Sequence, residues 1–513
     1  MKRISLPLML CTLILALLLI ISAWFGPPRL VVKPEAASHL DELLDQWTRD
    51  GAISGSVLIA QDGVVFLNEG YGLADRAQEI PNTPQTRFHL CSMSKQFTAM
   101  AILILQSQGK LNVQDPICNY IADCPAAWQD ITIHQLLTHT SGLSPRLDDI
   151  VEDAASDPET PPDPAYFIEI AGEAPLETRP GEKFDYSNHG YNLLAHIIEQ
   201  ASGQSYADLL EENIFTPLNM RDSGYEDSSS GGAVGYTYRY DTTGAEYMQW
   251  PFSNGEGWLY STTGDLLLWD QALYTDRLLP QAELEPMFER YVPRTDDVPL
   301  FGYGYGVLVT RLLGRPLVGG AGGSGAHSTF WLRYPADGLT FIVLMNQGDI
   351  DHMSVLLAIA GALFLSDLIF LVTAIAFMLL LAVLLAAQKN HRVKTTWVTG
   401  VLWLLLAAPL AFVFARYLAE GRGVWTLLPL SLVLLYMLAK ALLGFVFRID
   451  FRRNRTTRLA SLTLKCLALF SLIWIAFGIH PSWGTPVLIA FGILAASLII
   501  LYRNEIKVWQ SHA

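Results

Sequence analysis

A serine stands three residues ahead of a lysine in the stretch His89-Leu-Cys-Ser92-Met-Ser-Lys95-Gln-Phe-Thr-Ala-Met-Ala-Ile102. Residues at i and i+3 share one helix face, with Cβ atoms about 5–6 Å apart, so this hydroxyl and this amine can share a proton. A serine hydroxyl is a poor nucleophile until a neighbouring base removes its proton. A lysine can be that base where burial or neighbours lower its pKa. The helix start also offers backbone N–H groups to a developing oxyanion. By itself Ser-x-x-Lys equally describes a capping serine and a solvated lysine. Here it runs directly into Phe97, Met100, Ala101, Ile102, Leu103 and Ile104, so Lys95 opens a core helix. Downstream lies Tyr186-Ser-Asn188. A phenol near an ammonium loses its proton more easily and can protonate a leaving group, while Asn188 can donate to Lys95 or to a substrate carbonyl.

The elements that must bring these groups together read as a mixture of helix and antiparallel strand. A helix is expected over His39–Trp47, and a hairpin over 55–67 with its turn at Asp62-Gly63. The run Ile131–Leu143 reads as a helix with a polar, glycine-ended stop. A helical pattern follows Tyr191 through Leu193, Leu194, Ile197 and Ile198, and further helices are expected over 205–224 and 257–275. Strands are expected over 303–311, 315–321, 326–334 and 339–346. Hairpin, long helical insert and strands in that order give an α+β fold class.

With both motifs in place, the chain resembles the superfamily of serine β-lactamases and penicillin-binding proteins, in the version with Tyr at the head of the second motif. The branch it is similar to holds class C β-lactamases, D-peptidases and esterases. Leu136-Leu-Thr-His-Thr-Ser-Gly142, Pro180-Gly181, Ile214-Phe-Thr-Pro-Leu-Asn-Met220 and Ser261-Thr-Thr-Gly-Asp265 match its recurring phrases in order, across roughly residues 38–350. The resemblance implies a helical region against an antiparallel sheet, with the site in the crevice between. It implies Ser92 as nucleophile, Lys95 and Tyr186 sharing the general-base and general-acid roles, and Asn188 orienting substrate and Lys95. The implied oxyanion hole is the N–H of Ser92 with a backbone N–H near Gly322. The third motif departs from the family. Where Lys or His, a small residue and Gly are usual, this chain has Gly319-Gly320-Ala321-Gly322-Gly323-Ser324-Gly325-Ala326-His327-Ser328. The basic position falls on Gly319 or Gly320. That cation normally faces a substrate carboxylate, so its loss favours neutral esters or amides. His327 is a candidate substitute, but strand alternation turns it away.

Composition places this unit outside the cytoplasm. The 513 residues allow two to four domains, and with 51% hydrophobic and only 16% charged residues the chain carries membrane spans. A formal net charge of −15 argues against a nucleic-acid partner. Residues 1–26 read as a signal-anchor or signal peptide, the apolar run being long enough to span a bilayer. A linker over 27–37, the hydrolase-like domain over 38–365 and a membrane domain over 366–513 follow. Five spans are expected, near 366–387, 396–417, 424–447, 459–479 and 484–502. The basic loops Gln388–Lys394 and Arg448–Arg458 belong in the cytoplasm by the positive-inside rule. The intervening domain is then on the periplasmic or extracellular side of a cytoplasmic membrane.

Other residues read more plainly. Cys118 and Cys124 can close a small disulfide loop in an oxidising compartment. His139 reads as holding a loop, and His189 as packed or solvated. No His/Cys cluster has metal-ligand spacing and no glycine-rich loop has the phosphate-binding Lys-Ser/Thr, so neither metal nor cofactor is called for. Within the spans Asp367 reads as an outer-edge residue, and no buried charged pair is expected. The leading expectation is a membrane-tethered serine hydrolase acting on a small-molecule or peptide substrate. A catalytically inactive module binding cell-wall peptide and signalling through its spans is the second, and a transporter with an exported accessory domain the third.

Overall fold

The computed structural model describes residues 30–144, 147, 164–225, 232–238, 241, 243–244, 255–292, 302–312, 315–348, 352–389, 393–419, 422–442, 455–479, 486–492 and 494–495. The expected N-terminal anchor, most of the basic loop before Arg455 and most of the fifth expected span lie outside these residues. The chain forms two compact units, one of them Asp41–Val355 and the other made from the chain on either side of it.

Unit Asp41–Val355 is built on a seven-stranded antiparallel sheet. Its strands are β1 (Gly55–Gln61), β2 (Val64–Tyr71), β3 (Gly302–Tyr303), β4 (Leu308–Leu312), β5 (Arg315–Gly323), β6 (Ser328–Tyr334) and β7 (Leu339–Met345), in the order β2-β1-β7-β6-β5-β4-β3. The expected hairpin is β1–β2. Asp62 and Gly63 have φ of 52° and 76°, the left-handed pair that a two-residue hairpin turn requires. Strands β1, β6 and β7 are buried along their whole lengths. Strands covered on both faces read as continuous apolar runs and not as alternation.

The central helix is α2 (Lys95–Ser107), which follows α1 (Pro34–Arg49) in the chain. Every residue of α2 from Lys95 to Leu105 is buried, so it packs on all sides. Helices α3 (Ile133–Leu137), α4 (Asn188–Ser202) and α5 (Thr263–Ala272) surround it in one continuous apolar core. Trp269 of α5 lies against Phe97 with ring centroids 4.4 Å apart, and its indole N–H donates to Gln96 Oε1 at 2.7 Å. Its neighbour Asp270 accepts from Trp331 Nε1 at 3.1 Å and from Thr340 Oγ1 at 2.7 Å, which fastens the helix to β6 and β7.

Several expected elements differ in extent: the strand expected over 303–311 is β3 and β4, and the helix expected over 205–224 stops at Leu218. The helix expected over Ile131–Leu143 is only α3. The Thr132–Gln135 capping box starts it, and it stops before His139, whose φ is +54°. The expected helix over 257–275 divides into a strand, Leu259–Ser261, and α5, because the Thr262 side chain caps the helix there by accepting from Asp265 N–H. Across residue 366, α6 (His352–Lys389) runs as one continuous helix, with no proline to interrupt it.

The second unit continues with α7 (Val393–Leu405), α8 (Ala407–Ala419), α9 (Val424–Ala441) and α10 (Arg455–Ile479). Among the described residues three helical segments are long and apolar enough to cross a membrane: Ala358–Ala387, Trp397–Ala419 and Val424–Ala441. Helix α10 carries a shorter apolar stretch, Thr463–Ala476. The break between α7 and α8 is the work of Pro409, which has no N–H for the carbonyl four residues back. One expectation is overturned here. Asp367 is buried, 2.9 Å from Arg422 Nη1, and accepts from Tyr417 Oη at 2.6 Å. The pair joins residues 55 positions apart, so helix packing alone makes it.

Trp269→Ala should destabilise the globular unit by about 3–5 kcal/mol, the usual range for emptying a fully buried tryptophan site. Thermal melting of the full chain checks this.

Candidate active site

Ser92 sits in a 3-10 turn, Cys91–Ser94, that leads directly into α2. In a 3-10 turn residues i and i+3 eclipse, and Lys95 Nζ donates to Ser92 Oγ at 3.0 Å. Cys91, immediately before, has φ of +50°, a conformation a non-glycine residue keeps only where its surroundings impose it. Lys95 is 1% exposed. Its ammonium also donates to Asn188 Oδ1 at 2.9 Å, to Glu256 O at 3.0 Å and to Glu256 Oε2 at 3.2 Å. It lies 5.0 Å from the ring centre of Tyr186 and 5.6 Å from that of Tyr191. Burial acts to lower the Lys95 pKa. The Tyr186 phenol, the Glu256 carboxylate and their hydrogen bonds outweigh it, and the net shift is upward. The acceptors around Nζ, from Ser92, Asn188 and Glu256, suit an ammonium.

The second motif completes the arrangement. Ser187 caps α4 by accepting from Gly190 N–H, which puts Asn188 in the first turn and Tyr186 in the loop just ahead. The Tyr186 hydroxyl donates to Ser92 Oγ at 3.0 Å. Asn188 takes the opposite role to one of those expected for it: its carbonyl oxygen accepts from Lys95, since an ammonium has nothing to accept with.

The third motif supplies an edge of the cleft. Pairing of β5 with β4 ends at Gly319–Leu308, while pairing with β6 continues to Gly323–Ser328. From Gly320 onward one edge of β5 is thus left to the cleft. The cleft encloses about 240 Å³ and is lined by Ser92, Tyr186, Tyr303, Gly306, Leu308 and the run Gly320-Ala321-Gly322-Gly323. Gly319 is still inside the β4 ladder and is not part of the lining, so Gly320 is the one of the two candidate positions that borders the site. A Cβ on Gly320 would have its nearest neighbours 3.6 Å away, ordinary contact. Gly322 differs: a Cβ there would fall 2.3 Å from Leu90 O and 3.0 Å from Cys91 Cβ. Its lack of a side chain lets the strand lie on the turn that carries Ser92.

His327 does not stand in for the missing cation. It is 2% exposed, its ring centre 5.8 Å from that of His89, and burial together with the His89 charge pushes its pKa down to about 3. His189 is buried. Cys118 and Cys124 form a disulfide.

Several residues of the site escaped the motif reading. Glu256 is one. Its only signal was the Gly255-Glu-Gly257 triplet, in which Gly255 makes a close approach to Tyr191 O. Tyr303, Gly306 and Leu308 form the facing wall. Gly306, at φ +69°, crosses the Lys95 carbonyl so closely that a Cβ would lie 2.5 Å from that oxygen.

A family profile described as Beta-lactamase matches residues 36–363. The chain belongs to the beta-lactamase family. Within the family it is 30% identical over 347 residues to Penicillin-binding protein 4* of Bacillus subtilis, spanning 62% of this chain and 73% of that one. It is 32% identical over 253 residues to the putative penicillin-binding protein PbpX of the same organism, spanning 48% of this chain and 62% of that one. Among solved structures it is similar to a penicillin-binding protein from Bacillus halodurans, with a TM-score of 0.55 and 29% identity, over 62% of this chain and 98% of that one. EstCE1, described as a hydrolase with promiscuous acyltransferase activity, shares the fold at a TM-score of 0.54 and 21% identity, over 64% of this chain and 99% of that one. The family profile covers the globular unit.

Glu256→Gln removes one of the influences that raise the Lys95 pKa. A less stabilised ammonium deprotonates earlier, so the alkaline limb of a kcat/KM profile should move to lower pH than in the wild type. A limb that stays in place or moves upward would exclude Glu256 as a partner of the Lys95 charge.

Proposed function

We propose that this protein is a membrane-tethered serine hydrolase that forms an acyl-enzyme on Ser92 and releases it to water. The observation that carries the reading is the convergence of two groups, Lys95 Nζ and Tyr186 Oη, each 3.0 Å from the Ser92 oxygen in an open cleft. Lys95, held as an ammonium, has no lone pair for the serine proton. Tyr186 enters this step as the phenolate, the hydrogen bond between the two oxygens then running from Ser92 to Tyr186, and it takes that proton as Ser92 Oγ bonds to the acyl carbon. The tetrahedral oxyanion is received by the N–H of Ser92 and an N–H of β5 near Gly322. Tyr186 then gives its proton to the leaving alcohol or amine as the acyl–leaving-group bond breaks. In the second half Tyr186 takes a proton from water, water adds to the acyl carbon, and the proton returns to Ser92 as the acid leaves.

The acyl group is neutral on this reading. Among the described residues lining the cleft none is charged, and the donors of Lys95 are turned inward to Ser92, Asn188 and Glu256. Uncharged esters and amides fit better than substrates with a carboxylate beside the scissile bond. The three long apolar helices support a membrane tether, and the basic loops favour an outward-facing globular unit. The missing third-motif cation also motivates a second reading, a module that binds cell-wall peptide without turning it over.

A fluorophosphonate should label the full chain, and Ser92→Ala should abolish labelling and p-nitrophenyl ester hydrolysis; equal labelling of the variant would reject the assignment. Turnover of the ester separates the hydrolase from the binding module. Gly320→Lys, which has room for its Cβ, should raise kcat/KM for carboxylate-bearing peptides relative to neutral esters by about tenfold, the worth of one charge-assisted hydrogen bond. An unchanged ratio would mean that Gly320 is not the vacated cation position.

A further inference from the structure

His139 is fully buried in the left-handed region of backbone space. It holds the loop that carries Tyr186 by three separate contacts. Its carbonyl oxygen accepts from Asp185 N–H at 2.8 Å. Its Nδ1 accepts from Ser187 N–H at 3.1 Å. Its ring lies on the Tyr186 ring, with centroids 4.3 Å apart and planes 32° apart. The residues on both sides of the phenol are thus pinned through their backbones while the phenol itself is held by its face. A neutral imidazole that accepts at Nδ1 carries its proton on Nε2. That nitrogen is 3.1 Å from Tyr303 Oη, and Tyr303 forms the opposite wall of the cleft. One side chain therefore fixes the distance between Tyr186 and the far wall. Burial, and then the nearby Lys95 charge, hold its pKa well below the usual histidine range, so the accepting nitrogen stays available.

We infer that His139 is a positioning residue for the hydrolytic step: through its Nδ1 and carbonyl acceptors it sets the 3.0 Å approach of Tyr186 Oη to Ser92 Oγ. The inference rests on Tyr186 being the acid–base group proposed above. Proton transfer demands hydrogen-bond reach, and a misplacement of about 1 Å can cost about a hundredfold in rate. Loss of His139 should therefore appear in kcat more than in KM. Asparagine is the discriminating replacement. It tolerates positive φ, and its side-chain oxygen can take the place of Nδ1. Glutamine extends past that place toward the Nε2 position and leaves Ser187 N–H without its acceptor.

The test is steady-state hydrolysis of p-nitrophenyl butyrate by the full chain in detergent, with circular-dichroism melts on each variant. His139→Ala is expected to lower kcat by about ten- to a hundredfold, with KM within about threefold of wild type. His139→Asn should recover at least about tenfold of that loss, and His139→Gln should not, at matched folded fraction. A His139→Ala enzyme with kcat within about threefold of wild type, or Asn and Gln variants equally impaired, overturns the inference. If the alanine variant does not fold, the Asn–Gln comparison decides alone. Failure of the underlying reading is distinct: Ser92→Ala would then match wild type, whatever the His139 variants do.

Discussion

The site is organised by one charge taken out of water. Burying an ammonium costs several kcal/mol unless it is paired and hydrogen-bonded on every side. Lys95 meets that condition with four acceptor contacts, from Ser92, Asn188 and both the carbonyl and the carboxylate of Glu256. They come from three separate stretches of chain. The requirement to satisfy this ammonium therefore brings the 3-10 turn, the start of α4 and the Gly255–Gly257 segment to one point. A lysine whose charge is so well compensated is a fixed positive field beside the hydroxyls of Ser92 and Tyr186.

The surrounding fold keeps that point rigid. Helix α2 is buried on all sides and is held by Trp269 and Gln96. Behind it Asp270 ties the next layer to β6 and β7. In front, backbone crosses at van der Waals distance: Gly306 over the Lys95 carbonyl and Gly322 over Leu90 and Cys91. Among the described residues the cleft lining is largely backbone and aromatic ring, and none of it is charged. One edge of the cleft is the β5 edge, which β4 leaves unpaired from Gly320 onward.

The helical unit has its own electrostatic constraint. Asp367 and Arg422 are both buried, 2.9 Å apart, with Tyr417 donating to the carboxylate and lying 4.0 Å beneath the guanidinium. A pair so enclosed fixes how the loop before α9 meets α6, since removing either partner would strand the other.

Much of this was legible from residue order. The Asp62-Gly63 turn, the apolar run of α2 and the long apolar helices are local: their signals lie within a few residues of where they act. Ser92 and Lys95 belong here too, because one turn of helix spans the distance between them. Tyr186 and Asn188 were visible as types, but not the direction of the Asn188 hydrogen bond. Glu256, the bracket that His139 makes around Tyr186, the Tyr303 wall, the choice of Gly320 over Gly319 and the Asp367–Arg422 pair were decided by tertiary structure alone. Each is a contact between segments far apart in the chain, and its geometry comes from how helices and strands pack, on which local spacing carries no information.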